Sequence, residues 1–250
     1  MSSLNFNRVE RLQHRNDASQ ESFDANGFVL EEEMIGTANK RQYKEQAYQA
    51  LYPEECSLEN LEQTERFEKI LTIREAAQQE FQNITDFHKK SIPLQKAMEL
   101  VEKCQTGDPE NPARLFANQL YQAIKDRFVN DKYILKFFSA AGGTHLDISH
   151  GIDCYFKLYD KETGKELTRA TIDLTKRPNK DSSSADVLIN ISQADKEKFD
   201  NSKNNNNFDQ NFIQEFIAKE AEKITDAMID NFKKETNNYT YDSKGSGLVR

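Results

Sequence analysis

The chain lacks tryptophan entirely and has only five prolines, nine glycines and three cysteines among 250 residues. Each shortage excludes something. Glycine and proline are too scarce for a collagen-like or low-complexity protein. Cys56, Cys104 and Cys154 are odd in number and widely spaced, matching neither a disulfide framework nor a zinc pattern. They read as buried thiols in a reducing cytoplasm. No run of about 18 apolar residues is present, so no segment reads as membrane-spanning and no membrane partner is expected. The opening MSSLNFNRVERLQHRND lacks the apolar stretch of a secretory signal, which makes a cytoplasmic location the expectation. An excess of basic charge is missing too. The formal net charge is -8, without the overall basic footprint usual in nucleic-acid binders.

What is present is charge and aromatic bulk. Charged residues make up 30% of the chain and mean hydropathy is -0.85, yet 16 Phe and 9 Tyr supply a core. The length fits one or two domains. Residues 1–40 read as an irregular N-terminal arm with an apolar cluster at Phe28, Val29 and Leu30. Residues 41–110 form a helical region. It starts with a short helix from Arg41 to Leu51, ended by Pro53. A longer helix follows, with Phe67, Ile70, Leu71, Ala77, Phe81 and Ile84 on its apolar stripe. Pro93 opens the next helix, striped by Leu94, Ala97, Met98 and Val101.

From 111 to 236 the pattern changes. Asn111 reads as an N-cap and Pro112 as the first turn of a helix carrying Phe116, Leu120, Ala123, Ile124 and Phe128. A buried strand at Tyr133 to Phe138, a hairpin, and a further strand at Val187 to Ile191 come next. Ser192 with Asp195 resembles a capping box. The run Asn204 to Asn207 is a low-complexity loop, and a final helix carries Phe212, Phe216, Ile217, Ala221, Ile224, Met228 and Phe232. Residues 237–250 read as a flexible tail of linker-like composition, set apart from the fold. The fold class is therefore α+β: a small mixed sheet with a central antiparallel hairpin, flanked by helices, behind a mainly helical N-terminal region.

The hairpin, Gly151 to Lys176, is the most specific signal. A polar turn containing Gly164 joins two strands. Pairing Asp160 with Glu166 puts Ile152, Cys154, Phe156 and Leu158 opposite Leu174, Ile172, Ala170 and Thr168 on one face. The other face pairs Asp153 with Asp173, Tyr155 with Thr171, Lys157 with Arg169, and Tyr159 with Leu167. A slip of one residue would mix polar side chains into the apolar face, so burial specifies this register. Two aspartates would then stand roughly 4.5–5.5 Å apart at Cβ, which like-charge repulsion opposes unless a divalent cation lies between them. Just upstream, Gly142 to Asp153 brings His145, Asp147 and His150 close in sequence to Asp153. All of these side chains ligate metals or move protons.

A helix, a strand, a strand beginning GID, a hairpin and a strand ending IDLTK resemble the PD-(D/E)XK nuclease superfamily over roughly residues 113–191. There, two acids bind magnesium and a lysine two residues after the second acid stabilises the attacking water or the leaving phosphate. The resemblance implies a Mg2+ (or Mn2+) site on Asp153 and Asp173, with Asp147 as a further acid. In this sequence Thr175 occupies the usual lysine position, and Lys176 comes one residue later. Lys176 would serve as the catalytic base-side cation only if the strand end near Pro178 turned it inward.

The functional expectation is a magnesium-dependent nuclease acting on DNA or RNA, with Asp153, Asp173 and Lys176 catalytic. From Lys157 to Lys180 there are seven basic and four acidic residues, a local patch of +3 in an acidic chain. Lys157, Arg169, Arg177 and Lys180 are its candidate phosphate ligands. A different class fits the same residues: an inactive nuclease-like fold that works as a binding or effector module, with a protein partner at the N-terminal helices. A third is metal-dependent hydrolysis of another substrate through His145 and His150.

Overall fold

The computed structural model describes residues 28–128, 131–175, 183–192, 194–195, 197–199 and 210–245. Lys176, Arg177, Lys180 and the asparagine run 204–207 lie outside the described residues, as do 1–27. Helix α1 is Phe28–Ile35, inside the stretch expected to be an irregular arm. Its apolar residues Leu30, Met34 and Ile35 are buried. Gly36, at φ +79°, ends it with its amide bonded to the Glu32 carbonyl, a conformation that costs glycine little. The helices that follow are α2 (Lys40–Leu51), α3 (Gln63–Glu80), α4 (Ile84–Lys89), α5 (Leu94–Lys103) and α6 (Leu115–Lys125). Strand β1 (Tyr133–Ser139), helix α7 (His145–His150), strands β2 (Cys154–Asp160), β3 (Glu166–Thr175) and β4 (Val187–Asn190), and helix α8 (Gln210–Gly245) complete the order. The protein is α+β, with a helical N-terminal region.

Several boundaries and stripes differ from the sequence reading. In α3 the buried residues are Ile73 and Ala77, while Phe67 and Leu71 are 63% and 41% exposed. Among the described residues the helix is buried only in its C-terminal half, which leaves the Phe67 turn exposed. Helix α6 starts at Leu115 behind Arg114 rather than at Pro112. Asn111 instead accepts a side-chain bond from Asn118 at 2.9 Å. Ser192 and Asp195 do make reciprocal cap bonds, at 3.0 and 3.1 Å. Helix α8 runs to Gly245, into the stretch expected to be a tail. Among the described residues, no helix is long and apolar enough to cross a membrane.

The sheet order is β1-β2-β3-β4, antiparallel except for β3 and β4, which are parallel. Both faces are covered. One packs Phe137, Phe156, Ala170, Ile172 and Ile189 against α1, α6 and α8. The other sets Phe138 and Tyr155 against residues of α2, α5 and α7. Helices on either side of the expected boundary at residue 110 thus share one sheet.

The β2–β3 ladder holds the expected pairs from Cys154↔Ile172 through Leu158↔Thr168. Beyond them the register shifts, so Tyr159 faces Glu166 rather than Leu167. The cause is at the turn. Gly164, at φ +66°, lets the hairpin close between Asp160 and Lys165, whose backbones bond at 2.9 Å. Asp160 also accepts from the Thr163 amide and hydroxyl, both at 2.7 Å. Turn geometry and strand burial specify registers one residue apart, and a bulge at Leu167 reconciles them.

That bulge moves Glu166 onto the face of Lys157 and Arg169. Lys157, 3% exposed, lies 2.7 Å from both Glu102 and Glu166. Arg169 reaches Glu166 at 2.8 Å and donates to Gln95 at 2.8 Å. The two cations opposite each other are thereby neutralised inside the protein. Removing one anion strands a buried ammonium, so Glu166→Ala should cost roughly 2–4 kcal/mol, somewhat less than the usual cost of breaking a buried pair because Glu102 remains. Lys157→Met should cost less, since both glutamates retain access to water. Urea denaturation of the two variants checks this, and equal or reversed losses would refute it.

Candidate metal centre

Asp147 is positioned by a short helix and the loop before it. Thr144 caps α7, its hydroxyl accepting from the Asp147 amide at 3.2 Å. The carboxylate folds back onto the preceding loop, where Oδ2 accepts from the amides of Gly142 and Gly143 at 3.0 and 3.3 Å. Gly142 has φ +88°, and a Cβ there would come within 2.5 Å of Glu32 Oε1 and 2.7 Å of Lys40 Cε. Those are the ends of flexible side chains that can move aside, so it is the positive φ that favours glycine here.

Asp153 stands just before β2. Its amide donates to Ile172 at 2.9 Å although Cys154 is the residue paired with Ile172, so two residues of one strand share one of the other. Its carbonyl accepts from Ala140 at 2.7 Å and its Oδ2 from the Leu174 amide at 2.6 Å. The ladder therefore ends one pair short of setting Asp153 squarely against Asp173.

The side chains that converge are Glu31 of α1, Asp147 of α7 and Asp153. One carboxylate oxygen from each lies within 4.8 Å of the others, and all three residues are buried. Helix α1 belongs to one core and α7 to the other, so the cluster sits where the two cores meet at the end of the sheet. Asp173 is buried too, accepts from the Ser183 hydroxyl at 2.7 Å, and stands outside the set of three. Its charge nevertheless acts on Asp147. Burial above all, then the Asp173 charge, raises the Asp147 pKa to about 7, against the lowering effect of the Gly142 and Gly143 amides and of Lys40.

Of the three acids expected to bind metal, the structure unites Asp147 and Asp153 and leaves Asp173 at the edge. Glu31 was missed. Its signal was present in FVLEEEMIG, where Leu30, Met34 and Ile35 recur at helical spacing before a glycine. An acid beside that stripe is carried inward with it.

The two described basic candidates, Lys157 and Arg169, are elsewhere. Lys157 and Arg169 are engaged by glutamates, Lys157 about 13 Å along the strand from Asp153. Thr175 is buried on β3, two residues from Asp173. The histidines belong to the helical core. His145 lies among Phe81, Phe87 and Tyr43, its Nδ1 at 3.3 Å from the Tyr43 hydroxyl, and burial lowers its pKa to about 4. His150 donates from Nε2 to the Ile92 carbonyl at 2.9 Å. Hydrolysis through these two histidines finds no support in this geometry.

Three buried carboxylates this close repel unless one is protonated or a cation neutralises them. Their hard oxygen donors suit Mg2+, Mn2+ or Ca2+ better than thiolate- or imidazole-seeking metals. Comparison with protein-family models, with curated proteins and with solved structures finds no match for this chain. The centre is therefore read from its own geometry.

Two opposed pH responses follow for the metal-free protein. Asp147, with a folded pKa above its unfolded value, stabilises the fold fully at acid pH and loses that contribution as pH rises from about 3.8 towards about 7. His145, with a folded pKa below its unfolded value, stabilises above about 6.5 and loses that contribution as pH falls towards about 4. Asp147→Asn keeps an acceptor for the glycine amides and removes the first response. It should melt above wild type near pH 8, and the difference should shrink on acidification. A difference in melting temperature that stays constant with pH would show that Asp147 is not the titrating group.

Proposed function

We propose that this chain hydrolyses phosphodiester bonds of DNA or RNA at a divalent-cation centre formed by Glu31, Asp147 and Asp153. The observation that carries this reading is the convergence of those three buried carboxylates from separate elements. An acidic surface needs no partner, whereas buried carboxylates brought this close raise one another's energy, and a divalent cation between them relieves that. Mg2+ or Mn2+ there would polarise a phosphoryl oxygen and lower the pKa of a bound water. Within the chain, the Gly142 and Gly143 amides aim Asp147, the Leu174 amide fixes Asp153, and α1 delivers Glu31. Asp173, oriented by Ser183, adds negative charge at the rim. The resemblance to PD-(D/E)XK nucleases agrees with the succession of α6, β1 and the β2–β3 hairpin, and with acids at Asp153 and Asp173. It does not anticipate Glu31.

A second reading has an observation of its own. Phe67 and Leu71 form an exposed apolar turn on α3, while Lys157 and Arg169 are tied to glutamates. Both facts suit a nuclease-like fold that binds a protein partner and cuts nothing.

Cleavage of labelled single- and double-stranded DNA and RNA in Mg2+ or Mn2+ separates the two. Glu31→Gln and Asp153→Asn should each lower the rate at least ~100-fold, as befits the loss of a ligand. They should also abolish the rise in melting temperature that Mn2+ gives wild type. If wild type gains stability from Mn2+ yet cuts no substrate, the binding reading replaces the catalytic one. Should Mn2+ leave its melting curve untouched, the cation centre itself is wrong.

A further inference from the structure

Helix α7 has six residues, too few to hold a helix by itself, so contacts with the rest of the protein fix its place. Its C-terminal end is tied by Ser149, whose hydroxyl donates to the Phe87 carbonyl at 3.1 Å, and by His150 on Ile92. Its first turn carries Asp147. There the hydroxyl of Tyr43, 102 residues earlier in the chain, accepts from the His145 amide at 3.0 Å. The same hydroxyl lies 3.3 Å from His145 Nδ1, so one oxygen meets both the backbone and the ring of that residue. Tyr43 and His145 are both fully buried. Burial above all holds the Tyr43 pKa high, against the lowering effect of the His145 amide bond, so the hydroxyl keeps its proton.

Tyr43 stands on firm ground. Asn39 caps α2 by accepting from the Gln42 amide at 3.1 Å, and its own amide donates at 2.8 Å to the carbonyl of Cys104, just past α5. The His145 ring meets Phe81 and Phe87 edge-on, with centroids 5.3 and 5.0 Å away. His145 and Asp147 are two residues apart on one helical turn, about 3 Å along its axis. What fixes the His145 amide therefore fixes the Asp147 backbone, and a donor to a cation tolerates a displacement of only about 0.2 Å. The Gly142 and Gly143 amides that orient the Asp147 carboxylate belong to the loop leading into α7, whereas Tyr43 reaches the helix from another element.

We propose that Tyr43 is a positioning residue of the cation centre: its hydroxyl fixes the first turn of α7 through the His145 amide, and so sets Asp147 against Glu31 and Asp153. The proposal rests on the cation-centre reading and adds to it the residue through which the helical N-terminal region acts on the centre. His145 then serves as the link between Tyr43 and the ligand two residues on, and has no part in the chemistry.

The test separates positioning from plain stability. Mn2+ binding is followed by calorimetry and electron paramagnetic resonance on the full chain, for wild type, Tyr43→Phe and Ile224→Val, at a temperature where all are folded. Tyr43→Phe keeps the ring and removes the hydroxyl alone. It should weaken Mn2+ binding about tenfold or more, as the loss of an outer-shell partner does. Ile224→Val takes one methyl from the core beneath α8, and should lower the melting temperature while leaving Mn2+ affinity unchanged. Hydrogen exchange on metal-free protein should show the Asp147 and Ile148 amides exchanging faster in Tyr43→Phe. Wild type supplies a readout without any substitution: Mn2+ should slow exchange of the His145 amide, because coupling between the Tyr43 bond and the metal is reciprocal. Should Tyr43→Phe not fold, that measurement decides.

Wild-type Mn2+ affinity in Tyr43→Phe would overturn the proposal and leave the cation centre standing. An equal loss in Ile224→Val would overturn it as well, by making the effect one of stability alone. If Mn2+ binds wild type and leaves His145 exchange untouched, the Tyr43 bond is not coupled to the metal and the proposal fails. A wild type that binds no Mn2+ removes the cation centre and this proposal with it. Faster exchange at Asp147 and Ile148 in Tyr43→Phe would then mark Tyr43 as a support of α7 and nothing more.

Discussion

The β2–β3 ladder is covered by helices on both faces, and that double burial governs the rest of the structure. A strand with one wet face can point its charges at water. Here Lys157, Asp153 and Asp173 are all buried, so each must be compensated by the protein, a proton or an ion. At one end of the hairpin the compensation is complete. The bulge at Leu167 turns Glu166 inward, Glu102 arrives from α5, and together they hold Lys157 while Glu166 also holds Arg169. At the other end backbone amides bond the carboxylates of Asp147 and Asp153.

The hairpin thus has one end closed by ion pairs and one end where acids gather. The first resembles any buried ion-pair network, whose worth lies in being fully satisfied. At the second, burial above all, with the Asp173 charge, strains Asp147 and raises its pKa. The strain is tolerated because three elements over-determine it. Helix α1 is anchored by Leu30 and Met34, α7 by Leu146 and the Thr144 cap, and Asp153 by backbone bonds to Ala140, just past β1, and to Ile172 of β3. None of these anchors depends on the ionisation of the cluster, so the acids are held together whether or not a cation is bound.

Much of the fold was legible in the sequence, because the patterns that build it are local. The α2 helix, the Tyr133 strand, the hairpin alternation and the Ser192 cap are each written within a dozen residues or so. Where the reading missed, a non-local contact had decided. Phe67 and Leu71 have helical spacing yet remain exposed, because among the described residues α3 is buried only in its C-terminal half. Phe28, Val29 and Leu30 read as an isolated apolar cluster in an irregular arm, whereas α6 and the sheet give Leu30, together with Met34, a surface to pack on. Lys157 and Arg169 read as phosphate ligands because Glu102, far away in sequence, could not be brought beside them by any local pattern.

The candidate centre divides in the same way. Residue types and spacing pointed to Asp147 and Asp153, and alternation along the strands placed Asp173 near them. Glu31 lies more than a hundred residues before Asp147, and only the docking of α1 brings it in. By itself the sequence determined the strand register over Cys154–Leu158, since one slip would bury polar side chains, and it determined that acids gather at the hairpin's entry. Tertiary structure alone decided which acids converge and which of the described cations are consumed by ion pairs. Convergence depends on how helices pack across a covered sheet, and that packing is set by surfaces that meet only when the chain has folded.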